Sequence, residues 1–294
     1  MKSGYVSIVG RPNVGKSTLL NYFIGQKISI TSRKPQTTRH TILGIKTTEQ
    51  AQVIFVDTPG MHSDNKNQMN QIMNRSANQS LDDVDIVLFL VEANRWTEQD
   101  ELIANKLKSV NVPVFLVINK TDLIQTKSDL LPYIEKISQE FSFQEIISVS
   151  AKTGKQTDDL ENCIEKYLQD GELIYPEDQI TDRSERFIAS EIIREKLTRT
   201  LGQELPYALT VEIEDYKENE KLIDIAAIIW VERSGQKSIV IGKKGSILKN
   251  IGQQARIELE KLCGKKVFLQ LWVKVKAGWS DDLRALRSLG YTNE

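Results

Sequence analysis

Five short apolar runs punctuate the first half of this 294-residue chain, and four of them end directly in a loop of distinctive composition. The runs are Tyr5–Val9, Val53–Val56, Ile86–Val91, Val114–Ile118 and Ile146–Val149. The loops are Gly10-Arg11-Pro12-Asn13-Val14-Gly15-Lys16-Ser17, Asp57-Thr58-Pro59-Gly60, Asn119-Lys120-Thr121-Asp122 and Ser150-Ala151-Lys152. Short runs rich in β-branched residues, without polar alternation, fit strands covered on both faces. Between them, Ser17–Gly25, Gln68–Ser80, Glu98–Ser109, Ser128–Glu140 and Gln156–Leu168 have the spacing of amphipathic helices. Such alternation predicts an α/β domain, with a mostly parallel sheet and helices on both faces. The loops then collect at the carboxyl ends of the strands, where open sheets hold ligands.

The first loop fits G-x-x-x-x-G-K-[ST], in which backbone N–H groups at a helix start cradle phosphate oxygens. We assign residues 10–18, Thr18 included, to that cradle, with Lys16 reaching the β- and γ-phosphates. The Ser17 hydroxyl would ligate Mg²⁺. Asp57, just past a strand, is placed to hold the metal, and the Gly60 N–H to meet a γ-phosphate, with Thr58 and Pro59 forming the turn. The Asp122 carboxylate can accept from guanine N1–H and N2, donors that adenine lacks, so the pocket is expected to select GTP and GDP. Asn119 and the Lys120 stem would support the base, and Ala151, between Ser150 and Lys152, could offer its N–H to guanine O6. The remaining metal ligand is expected in 32–40, where Thr38 is preferred to Thr37; Lys34 and Arg39 lie on the same loop. Lys16, Thr38 and Gly60 are the candidate catalytic groups. Met61 follows Gly60 where related enzymes use glutamine to orient water, so slow intrinsic hydrolysis is expected, with His62 a weak substitute.

Composition narrows the setting. Cys163 and Cys263 form neither a disulfide framework nor a metal-ligand spacing, and His40 and His62 are too few for a histidine metal site. No leader peptide is evident ahead of the first run, and the longest apolar runs fall far below the roughly 18 residues that span a bilayer. A cytoplasmic protein is therefore expected. The net charge of −1 conceals an asymmetry, because 233–276 carries eleven basic residues against only Glu258 and Glu260. That excess points to a polyanion partner.

The second half reads differently. Residues 169–182 are polar and aperiodic, which suggests domains over 1–170 and 182–294 joined by a linker at 171–181. The spacing predicts a helix Arg183–Leu201, strands Tyr207–Tyr216 and Lys221–Glu232, a helix Ser246–Leu262 and a strand Lys266–Lys276, with a short C-terminal helix beyond. Ahead of the second helix, Ile241-Gly242-Lys243-Lys244-Gly245 fits the GXXG loop with which KH domains clamp single-stranded RNA. Lys243, Lys244 and Lys249 would meet phosphates, while Ile239, Ile241, Ile247, Leu248 and Ile251 form either a platform for bases or plain core. Trp230, Trp272 and Trp279 are expected to be packing residues.

Together with Gln36-Thr37-Thr38-Arg39-His40, Ile180-Thr181-Asp182-Arg183-Ser184 and Glu204-Leu205-Pro206-Tyr207, these motifs resemble the Era family, bacterial GTPases of the TrmE-Era-EngA-like superfamily with a C-terminal type II KH domain. The resemblance implies a P-loop GTPase domain followed by a smaller α+β KH domain. It also implies GTP/GDP and Mg²⁺ as ligands, and slow, partner-stimulated hydrolysis. Further implications are binding to the 3′ end of small-subunit ribosomal RNA, a role in assembly of the 30S subunit, and peripheral association with the inner membrane. No DNA partner is expected, and the lack of exposed apolar heptads suggests a monomer. Two other readings stay open: an RNA chaperone whose nucleotide site is structural, and a GTPase acting in tRNA modification or at the membrane.

Overall fold

The computed structural model describes residues 1–34, 36–60, 68–124, 130–202 and 205–291. The chain forms two compact units, and neither is a continuous stretch. One comprises Met1–Ser29, Thr38–Asn65 and Met73–Asp182; the other comprises Ile30–Thr37, Lys66–Ile72 and Arg183–Glu294. The loop at 32–40 is therefore divided between the two units, which a simple split into 1–170 and 182–294 does not anticipate.

In the first unit, β1 (Lys2–Val9), β3 (Ala51–Asp57), β4 (Ile86–Glu92), β5 (Val114–Asn119) and β6 (Glu145–Ser148) are parallel, and β2 (Ile42–Thr47) adds antiparallel to β3. The order is β2-β3-β1-β4-β5-β6, and β7 (Gln169–Asp170) pairs antiparallel with the start of β1. Burial explains the unbroken apolar runs: every residue of β3 and all of Ile86–Val91 are buried, so neither face needs a polar residue. The edge strand β6 is only half-buried throughout, contrary to the expectation of two covered faces. Helices α1 (Lys16–Ile24), α3 (Glu98–Leu107), α4 (Leu130–Glu140) and α5 (Thr157–Tyr167) alternate with the strands, as does α2 (Gln68–Gln79), of which only the part from Met73 onward belongs to this unit. Thr97 and Asp100 cap α3 reciprocally, satisfying two backbone donors.

The segment expected to be a free linker is fastened along β2 and β3. The fully buried Gln52 donates to the Tyr175 carbonyl at 2.9 Å and accepts from the N–H groups of Ile174 and Tyr175 at 2.7 and 2.9 Å. Ile45 N–H donates to the Ile180 carbonyl at 2.9 Å, and Leu43 N–H to the Asp182 carboxylate at 2.9 Å. These bonds cover the outer edge of β2, which would otherwise offer unpaired backbone.

The second unit contains α6 (Glu185–Thr200), β8 (Leu209–Glu218), β9 (Leu222–Val231), α7 (Ser234–Ile241), α8 (Ser246–Cys263), β10 (Lys266–Val275) and α9 (Leu283–Ser288). Its sheet runs β10-β9-β8, antiparallel between β8 and β9 and parallel between β9 and β10. Its core is built from Ile192, Ile193 and Leu197 of α6, the alternate residues Ile223, Ile225, Ala227, Ile229 and Val231 of β9, and Ile251, Ala255 and Leu259 of α8.

Helix α6 is buried nearly all round, charges included. Glu191, Arg194, Glu195 and Lys196 are each at most 6% exposed. Arg194 pairs with Glu191 at 2.6 Å and donates to the Thr37 carbonyl. Glu195 accepts from Thr31 N–H at 2.9 Å and pairs with Arg199 at 3.0 Å, while Lys196 pairs with Glu195 and with Glu258 of α8. Lys34 donates to the carbonyls of Leu201 and Gly202, just past the helix. Thr31, Lys34 and Thr37 are thus held to α6 and the residues just past it through charged groups.

Candidate nucleotide site and RNA-facing loop

The four loops meet at the carboxyl edge of the first unit's sheet. Lys16 begins α1 directly after Gly15, whose φ of 108° is left-handed. A Cβ there would lie 2.2 Å from the Asn119 amide nitrogen, so the close approach of two loops requires glycine. Asn119 spans that gap, donating to the Val14 carbonyl at 2.8 Å and accepting from Lys120 N–H at 2.7 Å and Ala151 N–H at 3.0 Å. The Ala151 N–H thus donates to Asn119, the residue expected to support the base. Asp122 is exposed and accepts from the buried Ser150 hydroxyl at 2.7 Å. Ser150, given no separate role by the sequence, aims that carboxylate; Lys152 is exposed beside it.

The metal-binding candidates converge. Ser17 Oγ lies 2.8 Å from Thr38 Oγ1 and donates to Asp57 Oδ2 at 2.8 Å, and Ser29 donates to the same oxygen at 2.9 Å. Thr37 Oγ1 turns away to the Lys34 carbonyl at 2.7 Å, so the geometry separates two threonines that sequence left in competition. The other Asp57 oxygen, Oδ1, is buried without a hydrogen-bond partner. Two hydroxyls and a carboxylate with an unshared buried oxygen suit a hard, oxygen-seeking cation such as Mg²⁺. Burial pushes the Asp57 carboxyl up, against the opposing pull of Lys16, Ser17 and Ser29. Burial also lowers Lys16 to about 8, partly offset by Asp57. Its ammonium donates to the Gly10 and Arg11 carbonyls at 2.9 and 3.1 Å.

The Arg11 side chain lies in a charged network beside the phosphate loop. Its Nε donates to Asp100 at 3.0 Å, its NH2 reaches Glu92 at 2.8 Å, and Glu92 also lies 3.4 Å from Lys120. Burial would raise the Glu92 carboxyl, but Arg11 and Lys120 hold it below the usual range. This network ties the phosphate loop to the base loop. Sequence reading missed it, although Asp100 at the third position of a capped helix was a visible signal.

Other residues named for the nucleotide site also make contacts within the fold. Val14 is fully buried, Thr58 donates to the Ile8 carbonyl at 3.3 Å, and a Cβ on Gly60 would lie 3.1 Å from Pro12. Asn13 adopts φ 67° and Thr18 is half-buried. Arg39 is 3% exposed, which rules out a solvated loop surface for it. Met61, His62 and Glu204 lie outside the described residues.

In the second unit α7 is helical, and Gly242–Gly245 join it to α8. Gly242, Lys244 and Gly245 have φ of 71°, 51° and 77°. A Cβ on Gly242 would meet Ile247 at 2.5 Å. The tight turn exposes Lys243 and Lys244, with Lys249 exposed one helical turn on. Ile241, Ile247 and Leu248 are half-buried against the core, Ile251 is wholly core, and Ile239 is 54% exposed. Trp279 is buried as expected, but Trp272 is 42% exposed and is no packing residue.

Fold and site together define a P-loop GTPase carrying a C-terminal KH domain. Residues 5–120 match the family model described as 50S ribosome-binding GTPase, and residues 204–280 match the KH domain model. The chain is 58% identical over 292 residues to GTPase Era of Glaesserella parasuis, covering 99% of this chain and 97% of that one. It is 54% identical over 290 residues to GTPase Era of Pseudomonas aeruginosa, covering 99% and 95%. The chain belongs to the Era family of GTPases. Among solved structures, it resembles a variant of Aquifex aeolicus Era bound to GDP·AlF4⁻, with a TM-score of 0.96 and 43% identity over 99% of this chain and 100% of that one. It is equally similar, by TM-score and identity, to Era in complex with MgGDPNP and nucleotides 1506–1542 of 16S ribosomal RNA, with 99% of each chain covered.

Proposed function

We propose that this GTPase is a nucleotide-operated switch that grips single-stranded small-subunit ribosomal RNA near its 3′ end and assists assembly of the 30S subunit. The observation that carries the reading is the division of one loop at a single peptide bond. Thr38 stands against Ser17 beside Asp57, while the Thr37 carbonyl is held by Arg194 of the KH-bearing unit. A shift of Thr38 on gain or loss of a γ-phosphate therefore pulls on a segment tied to α6. The RNA-bound Era relative supports the choice of RNA, and the exposed Lys243 and Lys244 supply its phosphate contacts.

Ser17, Thr38 and Asp57 would hold Mg²⁺, which would supply positive charge to neutralise the phosphates. The Lys16 ammonium would donate hydrogen bonds to the β- and γ-phosphate oxygens, the Gly60 N–H would meet the γ-phosphate, and Asp122, aimed by Ser150, would select guanine. Hydrolysis is slow because Met61 has no group to orient water. Peripheral contact with the inner membrane and a cytoplasmic location belong to the same reading; among the described residues no helix is long and apolar enough to cross a membrane.

The test is the affinity for the rRNA 3′ segment with a non-hydrolysable GTP analogue and with GDP, at matched salt. Tighter binding with the analogue supports the switch; equal affinities, with turnover unchanged by RNA, contradict it.

A further inference from the structure

The outward face of the KH sheet carries a feature that the GXXG loop does not use. Along the edge strand β10, Lys266, Phe268, Gln270, Trp272 and Lys274 all point to one face and all are exposed, with Phe268 at 49% and Trp272 at 42%. The alternate residues face inward, and Val267 and Val273 are buried there. On β9 the register sets Asp224 beside Phe268, Ala226 beside Gln270 and Ile228 beside Trp272, so small Ala226 keeps the floor low between the two rings. Burying each ring would gain about 1.5–3 kcal/mol, and a flat apolar edge is a liability, so the fold gains nothing by leaving both in water.

Spacing and charge suggest what covers them. Phe268 and Trp272 lie two same-face steps apart, about 13 Å at the rise of a strand, a distance that two nucleotides of an extended single strand cover. Cations bracket the rings: Lys266 and Lys274 at either end, with Lys276 beyond. The contacts of Lys266 to the half-buried Glu260 and of Lys274 to the exposed Glu214, at 3.9 and 3.8 Å, are long, and such pairs exchange readily for phosphate. The inward face of β10 packs against α7 and α8, the two helices that Gly242–Gly245 join, so the strand borders the loop that grips RNA.

We propose that the outward face of β10 is a second platform for single-stranded RNA, continuous with the segment held at Gly242–Gly245. Phe268 and Trp272 stack one base each, and Lys266, Lys274 and Lys276 meet the phosphates that flank them. This extends, and rests on, the RNA reading above.

Fluorescence anisotropy with labelled single-stranded RNA from the rRNA 3′ end tests it, using a segment of about four nucleotides, as the GXXG loop takes, and one about three times longer. Phe268→Ala and Trp272→Ala should each weaken the longer RNA about tenfold and leave the short one unchanged. Trp272→Phe, which keeps a ring, should restore most of the loss. Lys243→Ala with Lys244→Ala should weaken both RNAs. The platform is refuted if the aromatic variants bind the longer RNA as wild type does while the lysine variant loses it; the RNA reading then survives alone. Loss of binding to anionic phospholipid vesicles, with RNA affinity intact, would reassign the face to lipid. Wild-type protein that binds neither RNA overturns both.

Discussion

Lys16 shows how one buried side chain links the loop to solution conditions. Its ammonium is enclosed by carbonyls, and burial lowers its pKa to about 8. In the nucleotide-free protein it is therefore about half deprotonated near pH 8, whereas a bound diphosphate favours the charged form. GDP affinity should accordingly fall as pH rises through 8, with proton uptake on binding; calorimetry in buffers of different ionisation enthalpy would register this. An affinity flat from pH 7 to 10 would contradict it. Glu92 offers a second residue-scale test, because it anchors Arg11 and Lys120 together. Glu92→Gln should speed GDP release by roughly 5–30-fold, the equivalent of about 1–2 kcal/mol for a charged hydrogen bond. The effect should largely disappear when Lys120 is already alanine, which a general loss of stability would not do.

At the scale of elements, the chain was legible where physics leaves few choices. Strands buried on both faces show as unbroken apolar runs, and a glycine pressed against Asn119 admits no side chain. The antiparallel β2 was missed because Ile42–Thr47 is half-buried and carries Gly44 and Lys46, so it shows neither a run nor a clean alternation. Helix α6 was placed correctly, but its burial was not foreseeable: charged residues occupy the covered face and find partners from distant segments. Removing one partner of such a buried pair costs more than the pair itself contributes. Arg194→Ala should destabilise the protein by about 3–5 kcal/mol, seen in urea unfolding, whereas replacing Arg194 and Glu191 together by Met and Leu should recover much of that loss. Equal loss in both variants would mean that volume, not charge, matters at this position.

For the whole molecule, the reach of Ile30–Thr37 into the KH-bearing unit is what sequence could not disclose. The motifs announced a nucleotide site and an RNA loop, but the carbonyl of Thr37 and the guanidinium of Arg194 are 157 positions apart, and no periodicity connects them. That link makes a definite energetic demand. If the γ-phosphate state alters the grip on RNA, RNA must alter nucleotide affinity by the same factor, typically 5–150-fold. The decisive measurement is therefore the Kd of the GTP analogue and of GDP with and without the rRNA 3′ segment. The account predicts that RNA tightens the analogue relative to GDP by the same ratio with which the analogue tightens RNA. If RNA leaves both nucleotide affinities unchanged, the two units act independently and the switch does not exist.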